Sequence, residues 1–259
     1  MPDWVAISKS QHFHSSWRRR DHFNMFSNEV VAAVLPGELG KLIAEYVLGF
    51  IQTGETFRAV AILGMEQNKN LYVSKEGKWL ALYVPAVFRS FPFALAQGED
   101  DNRILCVDKS HISEDAEDSR FFDEEGNLTE VTSEILTFLQ KREQELVTAD
   151  KAAQLIAEQE LLKEWPLSIA TGEDLLPFRV EGLFRIDEEK LNRLEAVELG
   201  ELRQCGALPL AYAQLLSMSQ TDQLSRRLEY QRDESGTKQD VADLGELLSA
   251  DDALNFDSL

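Results

Sequence analysis

The segment from Gly49 to Thr56 is the closest that this chain comes to a known catalytic motif, because GFIQTGET has the glycine spacing of a phosphate-binding loop. The lysine that such a loop uses to neutralise phosphate charge is missing, and Glu55 stands in its place. A carboxylate at that point repels the phosphates of a nucleotide. The pattern therefore predicts a strand that ends in a glycine turn at Gly54, and it argues against a nucleotide site.

Three histidines near the N-terminus are the side chains best suited to hold a metal ion. His12 and His14 are two positions apart, so they would project to the same side of a strand, and either Asp21 or His22 could complete a three-ligand site. Histidines in a polar segment are also common as ordinary surface residues. A metal site at His12, His14 and His22 is therefore one hypothesis, and no other cofactor is indicated.

The sequence contains none of the recognised motifs for covalent catalysis that we considered. The chain contains no G-x-S-x-G, no H-E-x-x-H and no C-x-x-C sequence. Its two cysteines, Cys106 and Cys205, lie far apart along the chain. This favours two inert buried thiols in a reducing compartment over a disulfide.

The most distinctive segment, WLALYVPAVFRSFPF, combines aromatic residues, two prolines and one arginine. Core packing explains most of it. The planar fork of a guanidinium requires a bidentate partner, so we expect Arg89 to be at least half-buried and paired with a carboxylate of the protein or of a ligand. The candidate residues for binding a ligand or partner are Trp79, Tyr83, Arg89 and Phe93.

A small basic patch, Arg18-Arg19-Arg20, follows Trp17 in this otherwise acidic chain. Three interpretations stay open for it: a solvated face, an intramolecular partner for the acidic loop at residues 113–127, or a contact to phosphate or to a partner protein.

The overall charge excludes one large class of functions. The chain has 26 basic and 46 acidic residues, for a formal net charge of −20. Such a protein is repelled by phosphate backbones, so nucleic acid is not expected as a partner, and another protein or a small ligand is expected instead. No apolar run reaches the length of a transmembrane helix, and the first residues lack a signal-peptide pattern, so we expect a cytoplasmic protein. The oligomeric state stays open.

Periodicity predicts an α+β fold. Residues 1–28 are expected to form an extended polar arm, residues 29–112 a strand-rich and mostly antiparallel half, and residues 113–232 a mainly helical half packed with it. Within these halves we expect hairpins at 47–63 and 71–84 and a β-hairpin or bent strand at 175–186. Asn127 and Glu130 resemble a capping box at the start of a long helix with an apolar stripe at Val131, Ile135, Phe138, Leu139 and Leu146, and Asp150 is expected to cap a second helix. A last long helix is expected to begin near Pro209. Residues 233–259 are acidic and are expected to be a disordered tail, with leucines that could dock on a partner.

Several of these segments together resemble the bacterial SapC-like family, named after a surface-layer-associated protein. They are LPGELGKLIAEYVLGF, AVAILGMEQNKNLYV, GKWLALYVPAVFRSFPFAL, RFFDEEGNLTE and VEGLFRIDEEKLNRL. The resemblance runs from about His12 to about Leu224, and its most specific part is the pattern GxW-x3-Y-(V/I)-P-x3-R-x-(Y/F)-P-F. The chain has Phe91 where many members have tyrosine, and Val47 where many have proline.

The resemblance implies a role but no reaction, since the family has no agreed catalytic residues to carry over. Its members are linked to surface layers and are found near outer-membrane receptors and flavin-dependent halogenase-like proteins. We therefore expect a non-catalytic binding or accessory protein for a surface-layer or outer-membrane-uptake system. The alternatives are an enzyme of unrecognised type, metal-assisted through the histidines, and a structural subunit of the surface layer.

Overall fold

The computed structural model describes residues 2–98, 102–115, 117–169 and 178–234 of the 259-residue chain. Strands and helices alternate irregularly along the described residues, with most strands in the first half. The strands are β1 Trp4–Ala6, β2 Ser16–Trp17, β3 Val31–Ala33, β4 Leu48–Thr53, β5 Thr56–Ile62, β6 Phe93–Gln97, β7 Arg103–Asp108, β8 Ile112–Ser113, β9 Ser119–Arg120, β10 Leu162–Glu164, β11 Leu167–Ile169, β12 Phe178–Val180 and β13 Leu183–Ile186. The helices are α1 Lys9–His12, α2 Leu39–Leu42, α3 Ala86–Arg89, α4 Glu130–Glu158, α5 Glu188–Leu191, α6 Ala196–Gln204, α7 Ala207–Ser217 and α8 Thr221–Glu234.

The largest sheet has five strands in the order β10-β13-β4-β5-β3, and all neighbouring pairs are antiparallel. Its centre is the β4–β5 hairpin, where Gly54 adopts a φ of 61° that a side chain would disfavour. The predicted hairpin at the phosphate-loop-like sequence is thus confirmed. Helix α4 packs on β5, and α7 packs on β4 and β13.

One hydrophobic core joins the two halves of the chain, because buried residues from Val30 to Leu228 belong to a single cluster. Small residues of α4, such as Ala152 and Ala153, allow the helix to approach the sheet closely. Gln214 of α7 adds a buried polar link, since its side chain accepts from the Ile186 N–H at 3.0 Å and donates to the Leu48 carbonyl at 3.3 Å. The α+β class, with a strand-rich first half and a helix-rich second half, is confirmed.

The prediction of two helices separated at Asp150 is wrong. Residues 130–158 form one continuous helix, α4, whose N-cap is Thr129. Asp150 lies inside this helix and binds the Arg58 guanidinium of β5, with Oδ2 2.7 Å from Nη2. An aspartate indicates a helix N-cap only if its side chain has no partner elsewhere in the fold. Here the Asp150 carboxylate is paired with Arg58.

A second layer holds the N-terminal residues, and the expected extended arm is not what the structure shows. Strand β1 pairs with β7, and β2 lies between β8 and β9. Trp17 enters a second buried cluster with six other residues: Phe93, Leu105, Val107, Phe121, Phe122 and Leu139. Strands β1, β2, β8 and β9 are only two or three residues long, so their alternation was too short to be recognised in the sequence.

Other predicted elements differ in detail. Residues 71–84 form no strand pair but a bend with one bridge, between Val73 and Trp79, and with Gly77 at a φ of 77°. In the described part of the predicted hairpin at 175–186, β12 pairs with β11 and β13 pairs with β4 and β10. The last helical region begins at Ala207 and is divided into α7 and α8. Of the predicted acidic tail, residues 235–259 lie outside the described part of the chain.

Candidate functional site

A cleft of about 600 Å³ opens beside α3, at the junction of the two layers. The segment that follows Trp17, the turn after α3 and the N-terminal half of α4 form its walls. The lining residues are Trp17, Arg19, Arg20, Asp21, Phe23, Arg89, Ser90, Phe91, Pro92, Phe93, Val131, Glu134, Ile135 and Phe138. We call this the arginine cleft.

Arg20 holds the C-terminal end of α3 against the cleft. Its Nη1 donates to the carbonyls of Phe88, Arg89 and Phe91 at 3.2, 3.1 and 3.0 Å, and its guanidinium lies 4.5 Å from the Phe23 ring centre. Burial lowers the pKa of Arg20, and the nearby positive charge of Arg89 lowers it further. Among the described residues, neither Arg20 nor Arg89 has a carboxylate oxygen within 4 Å of its guanidinium.

Arg89 is exposed, so the prediction that it is at least half-buried is wrong. Its guanidinium lies 5.2 Å from the ring centres of both Tyr83 and Phe138, and its Nη2 donates to the Tyr83 hydroxyl at 3.0 Å. Among the described residues, no carboxylate lies within ion-pairing distance of it. The rings hold the guanidinium in place by cation–π contact, and its remaining donors are left for another group.

Glu38 fixes the other end of α3. This carboxylate is only 4% exposed, and it accepts from the Ala86 N–H and the Tyr83 hydroxyl at 2.8 Å and from the Leu35 N–H at 3.3 Å. A negative charge at the first turn of a helix and a positive charge at its last carbonyls both match the direction of the backbone dipoles. Glu38 and Arg20 therefore clamp α3 at its two ends, and Arg89 is the last residue of this helix, at the end that Arg20 holds.

We predict a pH dependence of stability from Glu38. Burial raises its pKa, although the hydrogen bonds from Tyr83, Ala86 and Leu35 oppose this. The folded chain then keeps this proton to a higher pH than the unfolded chain, so the stability from Glu38 is fully present below the unfolded pKa of about 4.3 and is lost as the pH rises through the folded pKa.

Urea unfolding of the wild type and of Glu38→Gln at pH 4.5 and pH 7 tests this prediction. The wild type should lose stability relative to the variant as the pH rises. A constant difference between the two proteins would contradict it.

Two buried donors near the base of the cleft have no acceptor among the described residues. One is the indole N–H of Trp17, whose side chain is 4% exposed and lines the cleft. The other is Nε of Arg142 in α4, whose Nη1 donates to the Ser90 hydroxyl at 2.6 Å. Such groups cost free energy when they are left unsatisfied, so they indicate where an acceptor would be stabilised.

The four residues predicted to bind a ligand separate into two pairs. Arg89 and Phe93 line the cleft, whereas Trp79 and Tyr83 lie behind it. The Trp79 indole donates to the Tyr46 hydroxyl at 2.9 Å, and that hydroxyl donates to the Tyr83 carbonyl. Trp79 and Tyr83 therefore support the segment that carries Arg89.

The three arginines of the basic patch after Trp17 lie in two different environments. Arg18 lies 3.7 Å from Asp118, in agreement with the intramolecular interpretation, whereas Arg19 and Arg20 line the cleft. Sequence reasoning missed Trp17, Glu38 and Arg142. The basic patch Arg18-Arg19-Arg20 and the aromatic segment that carries Arg89 and Phe93 were the signals in the sequence that pointed toward this place.

The histidines are not arranged as the metal hypothesis supposed. His12 ends the short helix α1 rather than lying in a strand, and its Nδ1 accepts from the Ser8 N–H at 3.2 Å. His14 is exposed, and His22 lies 3.5 Å from Asp21. Among the described residues, no three His, Cys, Asp or Glu side chains are close enough to bind one metal ion.

The cleft arginines have no carboxylate partners although the chain is strongly acidic. Two acidic residues, Asp21 and Glu134, also line the cleft, but in the described structure neither lies within 4 Å of its arginines. The rest of the lining is largely aromatic and aliphatic. This arrangement can hold an anion by charge-assisted hydrogen bonds and cover an apolar group beside it.

Within the part of the chain that the structure describes, none of the helices combines the length and apolar character needed to cross a membrane.

Comparison with known proteins gives one relationship. No curated protein and no solved structure matches this chain. The model of the SapC family, in contrast, matches residues 7–224, which include every residue of the arginine cleft and of its supporting shell. By this match across most of its length, the chain belongs to the SapC family.

Proposed function

We propose that this chain is a non-catalytic binding protein that holds an anionic ligand in the arginine cleft, in an accessory role to a surface-layer or outer-membrane-uptake system. The observation that carries the binding role is the gathering of Arg19, Arg20 and Arg89 around one cleft without carboxylate partners among the described residues. Three such cations can orient an anion by charge-assisted hydrogen bonds, although the chain as a whole carries a net charge of −20.

The contents of the cleft favour binding over covalent chemistry. Its one hydroxyl side chain, Ser90, accepts a hydrogen bond from Arg142 and has no base among its described partners. An activated nucleophile requires an adjacent base, or a pKa lowered by its surroundings. Phe23, Val131 and Arg89 instead offer contact area and fixed donors.

Titration calorimetry with sodium 2-naphthoate tests the proposal. We expect saturable binding to the wild type, and at least tenfold weaker binding to Arg89→Ala, because a charge-assisted hydrogen bond is lost. The matched control is Arg193→Ala, which removes an exposed arginine that pairs with Glu189 on α5. Binding that is equal in Arg89→Ala and the wild type, or no binding of this anion, would contradict the proposal.

The accessory role in a surface-layer or uptake system rests on the family resemblance, and a cytoplasmic location is part of the proposal. Fractionation of bacterial cells that produce the full chain tests both. Recovery in the cytoplasmic fraction supports an accessory role, whereas recovery in the surface layer at the abundance of the layer protein would favour a structural subunit.

A further inference from the structure

We infer that the ligand of the arginine cleft is an amphiphilic monoanion: one carboxylate on an apolar aromatic or acyl body. This inference rests on the proposed function, since it names the chemical class of the anion that the cleft would hold. It depends on the charge balance of the lining, on the apolar faces that the cleft leaves accessible and on buried donors.

The charge balance of the lining favours a single negative charge. Arg19, Arg20 and Arg89 are opposed by Asp21 and Glu134, so the lining as a whole carries one excess positive charge. A polyanion such as citrate would place its second and third carboxylates near these acids, and like charges at short range repel. A monoanion gains from the arginines without that cost.

The walls of the cleft leave apolar side chains within reach of a ligand. Val131, Ile135 and Phe138 lie at positions i, i+4 and i+7 of α4, so they form a stripe on one face of the helix. That periodicity is typical of a core-facing stripe, yet Val131 is 37% exposed and the other two are only half-buried. Among the described residues, this stripe is covered incompletely where it lines the cleft.

The opposite wall is also apolar. It is formed by residues after Trp17 and after α3, with Phe23 half-buried and Phe91 and Phe93 buried. A volume of about 600 Å³ lies within the range of ordinary small-ligand sites, roughly 300–1,000 Å³. An apolar body between the two walls would remove accessible hydrophobic surface from water.

The buried donors complete the argument. The Trp17 indole N–H, in the lining, has no acceptor among the described residues, and the same holds for the Nε of Arg142 below Ser90. Both groups can only donate. The exposed guanidinium groups of Arg19 and Arg89 in the lining can likewise only donate, so the cleft favours carboxylate oxygens over an amine.

A panel of probes of different charge and size tests this inference by titration calorimetry on the full chain. The probes are sodium 2-naphthoate, sodium decanoate, sodium acetate, trisodium citrate, inorganic phosphate and the neutral 2-naphthamide. We expect naphthoate or decanoate to bind at least tenfold more tightly than acetate, citrate and phosphate, because each pair of methylene groups removed from water contributes about tenfold. We expect naphthamide to bind at least tenfold more weakly than naphthoate.

Two variants in the α4 wall of the cleft, one at the exposed Val131 and one at the half-buried Ile135, locate the apolar contact. Val131→Ser and Ile135→Ser should weaken naphthoate binding at least threefold without changing the affinity for phosphate, and Val147→Ser, an exposed change further along the same helix, should leave both unchanged.

The outcomes separate the two proposals. If citrate or phosphate binds more tightly than both naphthoate and decanoate, the amphiphilic class is wrong while anion binding stands. If naphthamide binds as tightly as naphthoate, or if no anion binds, anion binding itself is wrong and this inference falls with it.

Discussion

Replacing Glu38 with alanine should lower the free energy of unfolding by about 3 kcal/mol, the largest effect that we expect from any single change at the site. The carboxylate accepts hydrogen bonds from Leu35, Tyr83 and Ala86, and its removal leaves these donors without their acceptor in a buried place. Each unsatisfied buried donor costs roughly 1–3 kcal/mol, and partial relaxation reduces the sum. At this chain length the loss corresponds to roughly 6–12 °C in melting temperature.

Urea and thermal unfolding measure the Glu38 effect. Glu38→Gln should cost less than Glu38→Ala, because an amide oxygen can still accept from Tyr83 and Ala86. The control is Glu189→Ala, whose carboxylate is exposed and whose ion pair with Arg193 should be worth less than about 0.5 kcal/mol. If Glu38→Ala proves no more harmful than Glu189→Ala, the clamp on α3 does not exist as described.

Replacing Arg20 with alanine should lower the free energy of unfolding by about 2 kcal/mol and also weaken naphthoate binding at least tenfold. The three carbonyls of Phe88, Arg89 and Phe91 lose a charged donor, and hydrogen bonds to charged groups contribute roughly 1.5–3 kcal/mol. The α3 end then moves more freely, so Arg89 is less well placed for a ligand.

Arg18→Ala is the matched control for Arg20, because it removes an exposed arginine two positions away that pairs with Asp118 at 3.7 Å. We expect Arg18→Ala to change stability by less than about 0.5 kcal/mol and to leave binding unchanged. Arg20→Ala with wild-type unfolding and wild-type affinity would show that Arg20 neither anchors α3 nor contributes to the cleft.

The positions of Glu38 and Arg20 also explain why the cleft is only partly readable from the sequence. Glu38 meets Tyr83 across 45 positions, and Arg20 meets Phe88 across 68. Periodicity describes neighbours on one strand or helix and carries no information about such long-range partners. The aromatic segment therefore pointed to Arg89 and Phe93, but not to the groups that hold them.

The sequence predicted the structure correctly where neighbouring residues determine it. Gly54 requires a turn that few other residues adopt without strain, and the β4–β5 hairpin follows from it. The apolar stripe at Val131, Ile135 and Phe138 has the spacing of a helix, and α4 is present there, with these residues in the lining of the cleft. The prediction of a helix cap at Asp150 was wrong because the carboxylate binds Arg58, which belongs to another element.

Binding of an anion in the arginine cleft can be followed at the indole N–H signal of Trp17, by heteronuclear NMR during a titration with 2-naphthoate. The chain has four tryptophans, and Trp165, packed against the main core, serves as the internal reference. We expect the Trp17 signal to shift with the same dissociation constant that calorimetry gives, while the Trp165 signal stays in place. Saturation of the calorimetric signal with no movement of the Trp17 resonance would show that the anion binds outside the arginine cleft.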